Sequence, residues 1–115
     1  MLLQINERSI DPDITYVQVI GRLTLGREAQ RLETLTGDLA QQGVSKVILD
    51  LSGVEYIDSS GIGIVVLSSG RLKQAGSKMV VVAPEGRVLQ LLKMARLDAL
   101  LTISDTVENA TAAVA

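Results

Sequence analysis

The chain is expected to fold as an α/β domain around a mixed, largely parallel sheet of four to five strands, with an N-terminal hairpin and about four helices. Three observations carry that expectation. Val47, Ile48, Leu49 and Leu51 form a nearly continuous apolar run, as a strand buried on both faces of a sheet requires. Met79-Val80-Val81-Val82 is a second such run. Around them lie segments whose apolar residues recur at three- and four-residue spacing. Strand and helix therefore alternate along the chain, and that order builds a parallel layer covered by helices.

Taken in order, Leu3, Ile5 and Ile10 alternate in the manner of a strand up to a turn signal at Asp11-Pro12-Asp13. Ile14 to Leu23 alternates around Tyr16, Val17, Val19 and Ile20, so the two segments read as a hairpin whose exit is bracketed by Gly21 and Gly26. From Arg27 to Gln42, Ala29, Leu32, Leu35, Leu39 and Ala40 mark one face of a helix closed by Gly43. The buried strand from Lys46 follows, then a short crossing. A second helix begins at the pair Ser59-Ser60, with Ile62, Val65, Val66, Ser69 and Leu72 inside and Gly76 at its end. Lys78 to Ala83 is the next strand. Pro84 and Glu85 open a helix carrying Val88, Leu91, Leu92 and Ala95. Leu97 to Ile103 holds a turn and a short last strand, and Asp105 with Glu108 has the spacing of a capping box for a C-terminal helix.

Composition narrows the function. At 115 residues the chain is read as one domain, residues 1–115, with 47% hydrophobic residues to fill its core. Tyr16 and Tyr56 are the only aromatic residues, which leaves an aliphatic core and no stacking platform for single-stranded nucleic acid. The formal charge is −2 and the eleven Lys and Arg are scattered, so no basic patch points to a duplex. The chain has no cysteine and no histidine, which removes thiol chemistry, the commonest general base and the commonest metal ligand. The N-terminal residues lack the signal-peptide pattern and no apolar run reaches the roughly 20 residues of a membrane span, so a soluble, cytoplasmic protein without a cofactor is expected.

The junction of strand and second helix carries the most chemical information. Asp58, Ser59, Ser60 and Gly61 precede an apolar run, where helix N–H groups lack partners and the dipole favours negative charge. Two readings of the serine pair stand at this point. In one, favoured by spacing alone, a hydroxyl caps the helix, worth about 1 kcal/mol, and the other is solvated. In the other, a serine accepts a phosphate whose added charge disrupts a partner surface beside Asp58 while the fold survives. A catalytic serine is disfavoured, because no histidine, Ser-x-x-Lys or Gly-x-Ser-x-Gly pattern accompanies it. Gly61-x-Gly63 is not a dinucleotide fingerprint, since Val66 stands where the third glycine belongs. Asp11, Asp13, Asp50 and Asp58 lack calcium-loop spacing and read as a turn, a strand end and a cap. Ser68, Ser69 and Gly70 place small residues mid-helix, either for a crowded core or for a flat face against a partner helix. Met94 and Leu97 read as core, or as a contact patch if exposed.

Asp50-Leu-Ser-Gly-Val-Glu-Tyr-Ile-Asp-Ser-Ser-Gly-Ile-Gly63 resembles the STAS family, in particular the anti-sigma factor antagonists. The likeness extends over Gly21-Arg22-Leu23, Met79 to Val82, and Leu91-Leu92-Lys93-Met94-Ala95-Arg96-Leu97. It implies a single STAS domain without enzymatic activity, acting in transcription regulation and stress-response signalling by partner switching. The expected partner is an anti-sigma factor that is also a serine kinase. Unphosphorylated antagonist binds it and frees the sigma factor; a phosphatase acting transiently resets the switch. By position the phosphoacceptor is Ser59, surrounded by Asp58, Ser60 as a cap companion, and Gly61. Ile62, Gly63 and Met94 are expected on the partner-binding surface. Neither nucleic acid nor membrane is an expected partner, and the chain is expected as a monomer or weak dimer. Antagonists often carry an aspartate just after the second strand, where this chain has Leu23-Thr24. The alternatives are a nucleotide- or small-ligand-sensing STAS module and a scaffold subunit of a stressosome-like complex.

Overall fold

The computed structural model describes residues 3–24 and 26–114. Strand β1 (Gln4–Asp11) pairs antiparallel with β2 (Ile14–Leu23), with Gln4 opposite Ile20 and Arg8 opposite Tyr16. Helix α1 (Arg27–Gln42) returns the chain to β3 (Lys46–Ile57), which lies parallel to β2. Helix α2 (Ser59–Gln74), β4 (Lys78–Val82), α3 (Arg87–Met94), a single 3₁₀ turn (Leu97–Ala99), β5 (Thr102–Ser104) and α4 (Val107–Val114) complete the order. Among the described residues the five strands form one sheet in the order β1-β2-β3-β4-β5, antiparallel only at its first pair. The expected α/β class, hairpin and mixed sheet are all present.

The sheet is covered unequally. On one face Val17, Val19, Val47, Leu49, Leu51 and Val81 meet Leu32 and Leu39 of α1, Val65 and Leu72 of α2, and Leu92 of α3. On the other, Ile14, Tyr16, Ile48, Val80 and Val82 meet Ala110 and Val114 of α4. Val47, Ile48, Leu49 and Leu51 are therefore buried from both sides, as their unbroken apolar run requires. Gly43, at φ 71°, closes α1 in the left-handed region, where a residue without Cβ avoids strain.

Several details depart from the sequence reading. The strand from Lys46 does not give way to a crossing after Leu51; it continues to Ile57 because ten-residue β2 offers it a partner along its whole length. Register irregularities between Gln18 and Ile20 and between Gly21 and Arg22 absorb the extra residues. At the first of these sits the Asp50 carboxylate, 3% exposed, which accepts from the Tyr16 hydroxyl, from Ser52 N–H (2.9 Å) and from Ser52 Oγ (2.6 Å). Helix α3 starts at Arg87 after Gly86, not at Pro84-Glu85, and Ala95 lies beyond its end, exposed. At α4 the cap is Thr106, whose Oγ1 accepts from Asn109 N–H at 3.1 Å, while Asp105 accepts from the Asn109 side chain at 2.7 Å.

Helix α2 keeps Val65 and Leu72 on its inner face as expected, but that face is rotated toward Gly61 and Ser68. Gly61, Val65, Ser68 and Leu72 point inward; Ser69 is only half-buried, and Ile62 and Val66 pack at the flank. Ser68 is tolerated there because Thr36 Oγ1 of α1 donates to it at 2.8 Å, so the hydroxyl pair is satisfied inside the α1–α2 contact. The reason for the rotation lies at the helix start.

Candidate functional site

Ile57, the last residue of β3, is buried beside Leu23, the last of β2. The next residue, Asp58, has extended backbone (φ −109°, ψ −175°) and its carboxylate accepts from Gly61 N–H at 2.9 Å. Its carbonyl accepts from Ile62 N–H, also at 2.9 Å, as the first intrahelical bond. Asp58 is therefore the N-cap, as read for it among the four aspartates, and the capping role expected of Ser59 or Ser60 is corrected: of three competent residues, only Asp58 has the backbone angles that aim an oxygen at the third helical N–H. Ser59 and Ser60 are the first two helical residues, Ser59 exposed and Ser60 half-buried.

The turn is seated by backbone contact. Asp58 N–H reaches the Leu23 carbonyl at 3.4 Å, and a Cβ on Gly61 would stand 2.1 Å from that same oxygen. Only glycine lets the helix approach so closely. Gly63 is different: nothing lies within 4 Å of where its Cβ would be, and it is exposed. The fold requires the first glycine and merely tolerates the second, at roughly 1 kcal/mol relative to alanine.

Charge at this helix start is already negative. The Asp58 carboxylate takes the position that the helix dipole offers to an anion, and no acidic residue follows it in the first turn. Beside the turn, the Arg22 guanidinium stacks 4.5 Å from the centre of the Tyr56 ring, across the pair that joins the ends of β2 and β3. Among the described residues no group of three or more His, Cys, Asp or Glu side chains is placed to hold a metal ion, and no helix is long and apolar enough to cross a membrane.

The STAS domain profile matches residues 7–110, most of the chain. This chain belongs to the STAS family.

Within it, the chain is 33% identical over 73 residues to a candidate anti-sigma factor antagonist of Thermotoga neapolitana, a match spanning 64% of this chain and 65% of that relative. It superimposes with a TM-score of 0.85 on the crystal structure of the corresponding Thermotoga maritima protein, at 26% identity, covering 96% of this chain and 93% of the other. The phosphorylated form of SpoIIAA, a Bacillus cell fate determinant, shares the fold at 16% identity with a TM-score of 0.75, covering 97% and 100% of the two chains.

In this STAS domain Asp58, Ser59, Ser60, Gly61, Ile62 and Gly63 share the opening turns of α2. Met94 is the last residue of α3, an eight-residue helix about 12 Å long. Met94 is 79% exposed, which corrects its reading as core; Leu97 is buried as expected. The sequence reading missed Tyr56 and Leu100, both exposed, and the Arg22–Tyr56 stack. Those two partners lie 34 positions apart, and only the β2–β3 register brings them together.

Proposed function

We propose that this STAS domain is an anti-sigma factor antagonist whose contact with a cognate anti-sigma factor, itself a serine kinase, is switched by phosphorylation of Ser59. The domain works by binding, without catalysis of its own, in the cytoplasm. Unphosphorylated, it presents the first turns of α2, with Ile62 and Gly63, to the kinase and so displaces the sigma factor. Phosphorylated, it lets go until a phosphatase removes the group.

The observation that carries this reading is an exposed Ser59 hydroxyl at the first helical position, next to a carboxylate that already occupies the helix start. A phosphate there brings about 1.5–2 further negative charges. The domain accommodates them, because Ser59 faces solvent and first-turn N–H groups are available to an anion. A docked protein does not. Like charges juxtaposed in an interface cost several kcal/mol, and about 2.7 kcal/mol is already a hundredfold in affinity.

The names of the Thermotoga relatives and the existence of a phosphorylated SpoIIAA support the same reading. The test pairs two substitutions with the cognate kinase. Ser59→Asp is expected to fold normally and bind at least tenfold more weakly, while Ser59→Ala binds and takes up no phosphate from ATP by mass spectrometry. Phosphate found on Ser60 in the wild type, or equal kinase affinity for Ser59→Asp and wild type, overturns the assignment.

A further inference from the structure

Among the described residues strand β1 is the border of the sheet, paired only with β2, so alternate residues along its eight turn their N–H and C=O groups outward. Apart from half-buried Ile5 the strand is exposed along its length. Beside it, between β1 and α1, runs a groove of about 470 Å³. Ile5 and Leu35 form its half-buried apolar floor; Arg27 and Arg31, one helical turn apart, line one end of its wall on α1, and Asp38, about two turns further along, lines the other. Among the described residues neither arginine is in an ion pair.

We propose that the β1 edge and this groove are a docking site for an extended segment of another protein, added as a sixth strand, with an apolar side chain over Ile5 and Leu35 and a carboxylate facing Arg27 and Arg31. Main-chain bonds to the edge supply affinity in such strand addition, and alternate side chains supply selectivity. The two guanidiniums set the sign of the ligand at their end of the groove, since a carboxylate gains a bidentate partner there and a basic side chain meets like charge, while Asp38 at the other end disfavours a second carboxylate. A second copy of this chain is a poor occupant. A two-fold axis normal to the sheet at the middle of β1 sets Glu7 or Arg8 against its own copy, like charge on like. The site is separate from Ser59 and does not depend on the reading of that residue.

The probe is a library of end-blocked nonapeptides of Val, Ile and Thr with one Glu at a varied position, alongside a matched library with Lys in place of Glu, titrated into protein labelled with 15N and with 13C at its Ile and Leu methyls. Saturable shifts confined to the β1 amides and the Ile5 and Leu35 methyls are expected with acidic members. Arg27→Glu with Arg31→Glu, both exposed and outside the packed core, is expected to keep the fold and weaken that binding at least about tenfold. Ser59→Asp is expected to leave it unchanged. The proposal is overturned if no acidic peptide shifts β1 at millimolar concentration, if basic peptides bind equally, if the double reversal has no effect, or if sedimentation shows a dimer that a proline in β1 dissolves.

Discussion

Gly61→Ala tests how the α2 turn is built. Its Cβ would stand 2.1 Å from the Leu23 carbonyl oxygen and 2.9 Å from Ile57 Cγ1. Ordinary carbon–oxygen contact needs roughly 3.3 Å, so the helix start must retreat by about 1 Å. The obstacle is backbone at the paired end of β2, not a side chain that could swing aside. Overpacking of this kind costs about 1–3 kcal/mol, and misaligning the bond from Gly61 N–H to Asp58 costs about 1 kcal/mol more. Replacing a helical glycine returns about 1 kcal/mol. The net is a loss of about 2 kcal/mol, which at a slope of roughly 1.5 kcal/mol per molar lowers the urea midpoint by roughly 1–1.5 M. Gly63→Ala is the control. With nothing within 4 Å of its Cβ, it is expected to raise stability by about 0.5–1 kcal/mol. A Gly61→Ala midpoint equal to or above the wild type would refute the claim that the helix is seated on Leu23.

Other consequences follow from the same geometry. Asp58→Ala removes the N-cap and is expected to cost about 0.5–2 kcal/mol in urea unfolding, with Asp58→Asn recovering most of it. Tyr16→Phe leaves one oxygen of the buried Asp50 carboxylate without its donor and is expected to cost about 1–3 kcal/mol by the same assay. Burial and the bond to Asp50 push the Tyr16 hydroxyl up to about 12. The folded state thus holds that proton more tightly than the unfolded chain, whose tyrosines titrate near pH 10. The contribution is present in full below about pH 10 and disappears as pH rises through about 12, so stability should fall over that window in the wild type and less in Tyr16→Phe.

What could be read from the sequence divides along a physical line. Patterns carried by neighbours were legible: the apolar run at Val47 to Leu51, the three-and-four spacing of α1, and the glycine at its end. What depended on pairing between distant segments was not. Ser52 to Tyr56 has the composition of a loop and becomes strand only because β2 lies beside it. Asp58, Ser59 and Ser60 are all able to cap, and backbone angles at a single residue decide among them. Ser68 instead of Ser69 faces inward because Gly61, pressed on Leu23, sets the rotation of the whole helix. The buried Tyr16–Asp50 bond joins residues 34 positions apart and leaves no local signal. Met94 fitted either the core or an exposed contact patch, and helical spacing alone does not decide between them; the chain leaves it in solvent.

The most direct measurement is the dissociation constant of the domain carrying phosphate at Ser59 alone, against the cognate kinase, beside unmodified protein and with thermal unfolding of both. At least a hundredfold weaker binding is expected, with a melting temperature within a few degrees of the unmodified domain. Equal binding by the two forms, or unfolding of the phosphorylated one, would contradict the switch.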